Sequence, residues 1–180
     1  EAKKMSDLNI VIDPGHGGYE GDDRGMTIWP YCAVMEESMW ESKSNLWKGL
    51  HLKNILDSLG TKITLTREHN NYTDAENPEP SLYARAQLAN SLSADAFISI
   101  HSNAHTDGST VNYPLFLYRG YDNSEGNPGS KAMAQACWPH WIKIPHMMWT
   151  SYTSSMNIRG DVSFWGSYLT TTHTNNKSYS

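Results

Sequence analysis

The pattern of apolar and polar positions divides the first half of the chain into strand, helix, strand, helix and strand. Leu8 to Ile12 (LNIVI) is a short β-branched run that Asp13-Pro14-Gly15 closes, since proline and glycine stop a strand there. Leu46 to Leu59 carries apolar residues at 46, 47, 50, 52, 55, 56 and 59. That spacing predicts a helix with one apolar stripe, with Gly60 as its C-terminal cap. Thr61 to Thr66 (TKITLT) alternates with period two and reads as a strand. Ser81 to Leu92 reads as a helix with Ser81 as N-cap after Pro80, and Ala94 to His101 (ADAFISIH) as a further strand. This order predicts an α/β fold: a mostly parallel central sheet with helices on both faces. In such sheets chemistry gathers beyond the carboxyl ends of the strands.

The second half has less pattern. Val111 to Tyr118 (VNYPLFLY) reads as a strand that Pro114 confines to an edge or a bulge. Ser130 to Cys137 reads as a helix that Pro139 ends. Trp138 to Thr150 is rich in Trp, Met and His with no clean period, and residues 170–180 form a polar tail expected to be mobile. No repeat or linker divides the 180 residues, so one domain is expected.

Composition narrows the partners. A formal net charge of -5 argues against duplex nucleic acid, because phosphate binding needs a basic surface. No apolar run is long enough to span a bilayer, and the polar start EAKKMSDLN is unlike a signal peptide. Cys32 and Cys137 make no disulfide framework and leave the redox compartment open. Seven Trp and ten Tyr against three Phe suit a surface for sugar-like ligands, and equally a core that uses Trp.

The candidate chemistry is a metal site. A catalytic zinc takes three nitrogen or oxygen ligands and leaves a fourth position open. His16 follows the first strand within Asp13-Pro14-Gly15-His16-Gly17-Gly18, where glycines let backbone pass close to a ligand. His101 ends the third predicted strand, so both imidazoles fall on the same rim of the sheet. Glu36, Glu37 and Glu41 lie between them in sequence, and chemistry alone does not choose among the three. His51, His69, His140, His146 and His173 have no spacing that argues for metal.

Five pieces in order then give a resemblance. They are the Asp13 to Gly18 turn, Glu41 four residues before Asn45-Leu46, and Leu65-Thr66-Arg67 after a leucine-rich helix and a glycine. Arg85 with Ala89-Asn90, and the Ala94 to Ala104 strand, complete them. Over residues 8 to about 105 the chain resembles the zinc-dependent N-acetylmuramoyl-L-alanine amidases of the type-3 amidase family. The resemblance implies Zn2+ held by His16, Glu41 and His101. It also implies hydrolysis of the amide between N-acetylmuramic acid and L-alanine, with peptidoglycan as partner. The location it implies is the bacterial cell envelope, periplasmic or extracellular, as for a secreted autolysin.

Around these ligands, Asp13 is expected to brace the His16 turn, and Asn103 to orient His101 or bind a substrate amide. Arg67 and Arg85 are expected to contact acidic peptide groups or to form structural ion pairs. His105 reads as a solvated loop residue. The long connection from Asp22 to Trp40 reads as a flap over the groove or an ordinary surface loop. Arg159-Gly160-Asp161 is similar to the family's late Arg-Gly step, not an adhesion signal.

One family piece has no match. After that step the family has a helix and an inner strand ending in a general-base Glu, whereas Ser163 to Leu169 (SFWGSYL) leads into a Thr- and Asn-rich tail. The last Glu of the sequence is Glu125. The resemblance therefore implies an amidase domain incomplete at its C-terminal end, with reduced or absent turnover. An exposed sheet edge open to self-association would accompany it. The rivals are a catalytically inactive peptidoglycan-binding module, a zinc peptidase acting on cross-link peptides, and proton transfer by Glu36, Glu37 or His173.

Overall fold

A computed structural model describes residues 3–18, 40–72, 76–102, 114–141, 143 and 157–165. The chain forms two compact units, residues 1–102 and 103–180, and each is described by itself.

The first unit is built on three parallel strands: β1 (Asn9–Pro14), β2 (Lys62–Leu65) and β3 (Ala96–Ile100), in the order β2-β1-β3. Ile12 pairs with Leu65 on one side and Ile98 on the other, and Asp13 stands opposite Ser99. The central position explains why β1 reads as a nearly continuous apolar run, with Val11 and Ile12 fully buried. Ile10, Ile12 and Leu65 form the core, joined by Ile63, Ala96, Ile98 and Ile100 of the sheet and by Leu52 and Leu56 of α1 (Glu41–Ser58). By alternation Asp13 points to the opposite face, where Arg85 of α2 (Leu82–Ser91) reaches it. Among the described residues the outer edge of β3 is unpaired.

The helix caps follow local chemistry. Ser81 Oγ accepts from the Ala84 N–H at 3.1 Å. After α1, Gly60 takes a left-handed φ of 82°, and the N–H groups of Gly60 and Thr61 return to the carbonyls of Asp57 and Leu56. That is the double bond of a Schellman cap. The same motif ends α2, but there the left-handed position holds Ser93, at φ 48°. A side chain in that region is strained, so Ser93→Gly is expected to raise stability by about 0.5–1 kcal/mol. A urea titration checks this; an unchanged or lower midpoint would refute it.

The apolar stripe expected on α1 does not match the buried face. Trp47, Leu50, Ile55 and Leu59 are exposed. The face against the sheet is Glu41, Asn45, Gly49, Leu52 and Leu56. Half of it is apolar core and half is polar because it reaches the rim. Gly49 is required there, since a Cβ would stand 2.8 Å from the Pro14 ring.

The second unit contains β4 (Phe116–Tyr118) paired parallel with β7 (Ile158–Gly160), and the short hairpin β5 (Gly120–Tyr121) and β6 (Ser124–Glu125). α3 (Ser130–Trp141) and α4 (Asp161–Trp165) complete it. Of the strand expected over 111–118, the described residues form Phe116–Tyr118, and 111–113 lie outside the described range. α3 runs through Pro139 instead of stopping before it. Pro139 forgoes only one hydrogen bond in the last turn. Trp138 and Trp141 hold that turn by edge-on contacts with Phe116 at 6.3 and 5.7 Å between ring centroids. Arg159 pairs with Asp122, and Asp161 accepts from Arg119 and the Gly120 N–H, so the Arg-Gly-Asp triplet is tied down internally. Cys137, in α3, forms no disulfide among the described residues.

Candidate metal centre

Three elements of the first unit deliver one side chain each to the carboxyl rim. His16 lies two residues beyond β1 with a φ of 59°. A non-glycine residue in that region costs roughly 1–2 kcal/mol, a strain typical of functional sites. His101 directly follows β3. Glu41 is the first residue of α1, where the helix dipole favours its charge. His16 Nε2 stands 3.3 Å from Glu41 Oε2, and His101 Nδ1 stands 3.3 Å from Glu41 Oε1. The imidazole centroids are 5.1 Å apart and nearly perpendicular. One ligand atom from each residue lies within 4.8 Å of the others.

This donor set fits a divalent cation. Ligands about 2.0–2.1 Å from a tetrahedral centre stand about 3.3–3.4 Å apart. Glu41 is almost fully buried, and burial alone would raise its pKa. Hydrogen bonds with His101 and His16 and from the Ser102 N–H, and the charge of His16, outweigh this. Its carboxyl is held well below the usual carboxylate range, so it is anionic at neutral pH.

The glycines of the turn have separate steric reasons. A Cβ on Gly15 would stand 2.1 Å from Cε1 of His101, one on Gly17 2.1 Å from Glu79 Oε2, and one on Gly18 2.5 Å from Asn70 Nδ2. The loop between β2 and α2 thus closes on the His16 turn from one side while His101 closes on Gly15.

Beneath the turn lies a buried polar layer. Asp13 accepts from Thr66 Oγ1 at 2.6 Å, Ser99 Oγ at 2.7 Å and Arg85 at 2.8 Å. Burial opposes its ionisation, but these bonds and the Arg85 charge hold its pKa below the ordinary value. Arg85 also donates to the carbonyls of Pro14, His16 and Pro80. Arg67 departs from both expected roles. It is 2% exposed, out of reach of a substrate, and its hydrogen bonds go to the carbonyls of Pro14, Gly15, Ser42 and His69 and to Asn70 Oδ1. Burial, then the charge of Arg85, lower its pKa to about 10. Fully buried Asn45 donates to the Gly15 carbonyl at 3.3 Å and Glu41 Oε1 at 3.4 Å.

Sequence reasoning did not single out Ser42, Thr66, Ser99, Asn70 or Glu79. For Thr66 and Ser99 the available signal was a hydroxyl at a strand end, level with the buried Asp13. Asn103, His105, Glu36, Glu37, His146, His173, Cys32 and residues 22–39 lie outside the described range. His51 stacks on Trp47 and His69 on Tyr72, and neither belongs to the converging set. His140 sits in the last turn of α3.

Fold and site together define an α/β protein that gathers two imidazoles and a carboxylate, all metal-ligating groups, at the carboxyl rim of a parallel sheet. The chain belongs to the type-3 N-acetylmuramoyl-L-alanine amidase family, whose model matches residues 10–147. It is 29% identical over 114 residues to the probable cell wall amidase LytH of Staphylococcus saprophyticus, covering 61% of this chain and 32% of that protein. It is 30% identical over 121 residues to an uncharacterized cell wall amidase of Bacillus anthracis, covering 66% of this chain and 20% of that one. The chain thus spans a third or less of the length of these relatives. Among solved structures, the N-acetylmuramoyl-L-alanine amidase of Clostridium difficile 630 aligns with a TM-score of 0.53 at 27% identity, over 76% of this chain and 64% of that one. Ami1 of Mycobacterium smegmatis shares the fold with a TM-score of 0.62 at 17% identity, over 88% and 74% of the two chains.

Proposed function

We propose that the protein is a zinc-dependent peptidoglycan hydrolase acting at the cell envelope, cleaving the amide between N-acetylmuramic acid and L-alanine. The observation that carries this reading is the convergence of His16, Glu41 and His101, with ligand atoms within 4.8 Å. Family membership and the names of the cell wall relatives support the substrate. Among the described residues no helix is long and apolar enough to cross a membrane.

In this reading the three side chains hold the ion, which supplies Lewis-acid polarisation of the scissile carbonyl and a water acidic enough to ionise near pH 7. Glu41 contributes a fixed negative charge, kept ionised by the Ser102 N–H and the two imidazoles. His16, strained and clamped through its backbone carbonyl, keeps its ring in place without reorganisation. His101, half-exposed, forms the open side from which a substrate amide enters.

Elemental analysis of the purified protein is expected to find one zinc per chain, lost in His16→Ala and in His101→Ala. On purified peptidoglycan, release of stem peptides that a chelator abolishes supports the hydrolase. Sedimentation with the wall and no release over days indicates the binding module. Release of fragments cut within the peptide indicates a peptidase. Zinc-free protein in every preparation would overturn the assignment.

A further inference from the structure

We propose that Arg67 is a positioning residue that sets the distance between His16 and Glu41; the role rests on the reading that these side chains hold zinc. The two ligands belong to elements that share no hydrogen-bond ladder. His16 sits on a turn beyond β1, and Glu41 opens a helix that returns to the sheet 25 residues later. Where β1 ends, the carbonyls of Pro14 and Gly15 receive no backbone N–H among the described residues, and buried carbonyls need partners.

Two guanidinium groups take these carbonyls and that of His16. Arg85 donates to those of Pro14 and His16. Arg67 donates Nε–H to Pro14 at 2.8 Å and a terminal N–H to Gly15 at 2.9 Å. Of the two, only Arg67 also reaches the helix, donating to the Ser42 carbonyl at 2.7 Å, one residue from Glu41; Asn45 on α1 makes a longer link, donating to the Gly15 carbonyl at 3.3 Å. Its remaining N–H groups go to the His69 carbonyl and Asn70 Oδ1, both at 3.0 Å, which fix the guanidinium plane. Asn70 in turn donates to Ser42 Oγ at 3.0 Å. All five donors of one rigid, planar group are therefore used, and they join the residue before His16 to the residue after Glu41. Lysine offers three donors on a single nitrogen and cannot span both.

The charge-conserving variant Arg67→Lys separates geometry from charge. The zinc affinity of the intact protein is measured by competition with a chromophoric chelator, well below the melting temperature of each metal-free variant. The visible absorption of the cobalt-loaded protein reports ligand geometry. Arg67→Lys is expected to bind zinc at least about 10-fold more weakly, the lower end of the cost of losing a group that orients a ligand, with an altered cobalt spectrum. Asn70→Ala, which frees the guanidinium from one of its supports, is expected to lose about 3-fold, as for one hydrogen bond. A folded Arg67→Lys protein with wild-type zinc affinity and cobalt spectrum overturns the proposal, even if it melts lower. Should Arg67→Lys fail to fold, Asn70→Ala decides, and an affinity within twofold of wild type overturns it. Wild-type protein that binds no zinc removes the metal reading itself, a result distinct from either of these.

Discussion

Gly15→Ala is expected to leave the first unit folded and to cost it about 100-fold or more in zinc affinity, beyond the usual effect of disturbing one supporting group. The new Cβ would stand 2.1 to 2.6 Å from three atoms of the His101 imidazole. No real contact is that short, so something must move. The obstacle is the half-exposed end of a side chain, not backbone. The cheapest relief is for the imidazole to swing outward into solvent. The backbone of Gly15 is not left-handed, so an alanine is otherwise acceptable there. Calorimetric zinc titration, with a melt of the metal-free protein beside it, checks the outcome. Wild-type affinity would mean that His101 is not held against Gly15 in solution. A collapse of the melt would mean that the ring cannot leave.

Asp13→Ala is expected to destabilise the protein by about 3–5 kcal/mol, the cost of leaving one partner of a buried ion pair behind. Arg85 is 3% exposed and would keep its charge with carbonyls and only the more distant Glu79 carboxylate, at 3.9 Å, to balance it, while Thr66 and Ser99 lose their common acceptor. The pH dependence has a definite sign. The folded pKa of Asp13 lies below its ordinary value. Its contribution is therefore fully present above about pH 4 and is lost as pH falls from there through the folded pKa. Glu41 shifts in the same direction and adds to the acid limb. Wild type minus Asp13→Ala isolates the Asp13 part. That difference, from denaturant titrations in steps below pH 5, should shrink toward acid. A difference independent of pH would show that Asp13 acts by packing alone.

Much of the first unit is legible in the sequence because its signals are local. β-branched runs closed by Asp-Pro-Gly or by a polar cluster mark β1 and β3, and Ser81 and Gly60 mark helix ends by their own capping chemistry. The resemblance supplied what local pattern could not, the choice of Glu41 over Glu36 and Glu37. The α1 stripe shows where pattern misleads. Periodicity counts apolar residues, but the buried face of this helix starts with Glu41, Asn45 and Gly49, which serve the rim and the close approach of Pro14. The solvent face meanwhile keeps Trp47, Ile55 and Leu59. Pro139 is a smaller case. A rule about helix interiors overstates the cost of a proline in a last turn held by tryptophans packed on Phe116.

What the sequence determined by itself is the three strands and two helices of the first unit, their parallel arrangement and the identity of two imidazoles at strand ends, since each follows from residues within a few positions of one another. Tertiary structure alone decided that Arg67 binds carbonyls and not carboxylates, that Thr66 and Ser99 share Asp13, and that each glycine of the turn admits a different neighbour. Those facts depend on sheet register and on side chains arriving from 25 to 86 residues away. No local pattern carries that information, because a hydrogen bond between distant residues is chosen only when packing brings both ends together out of water.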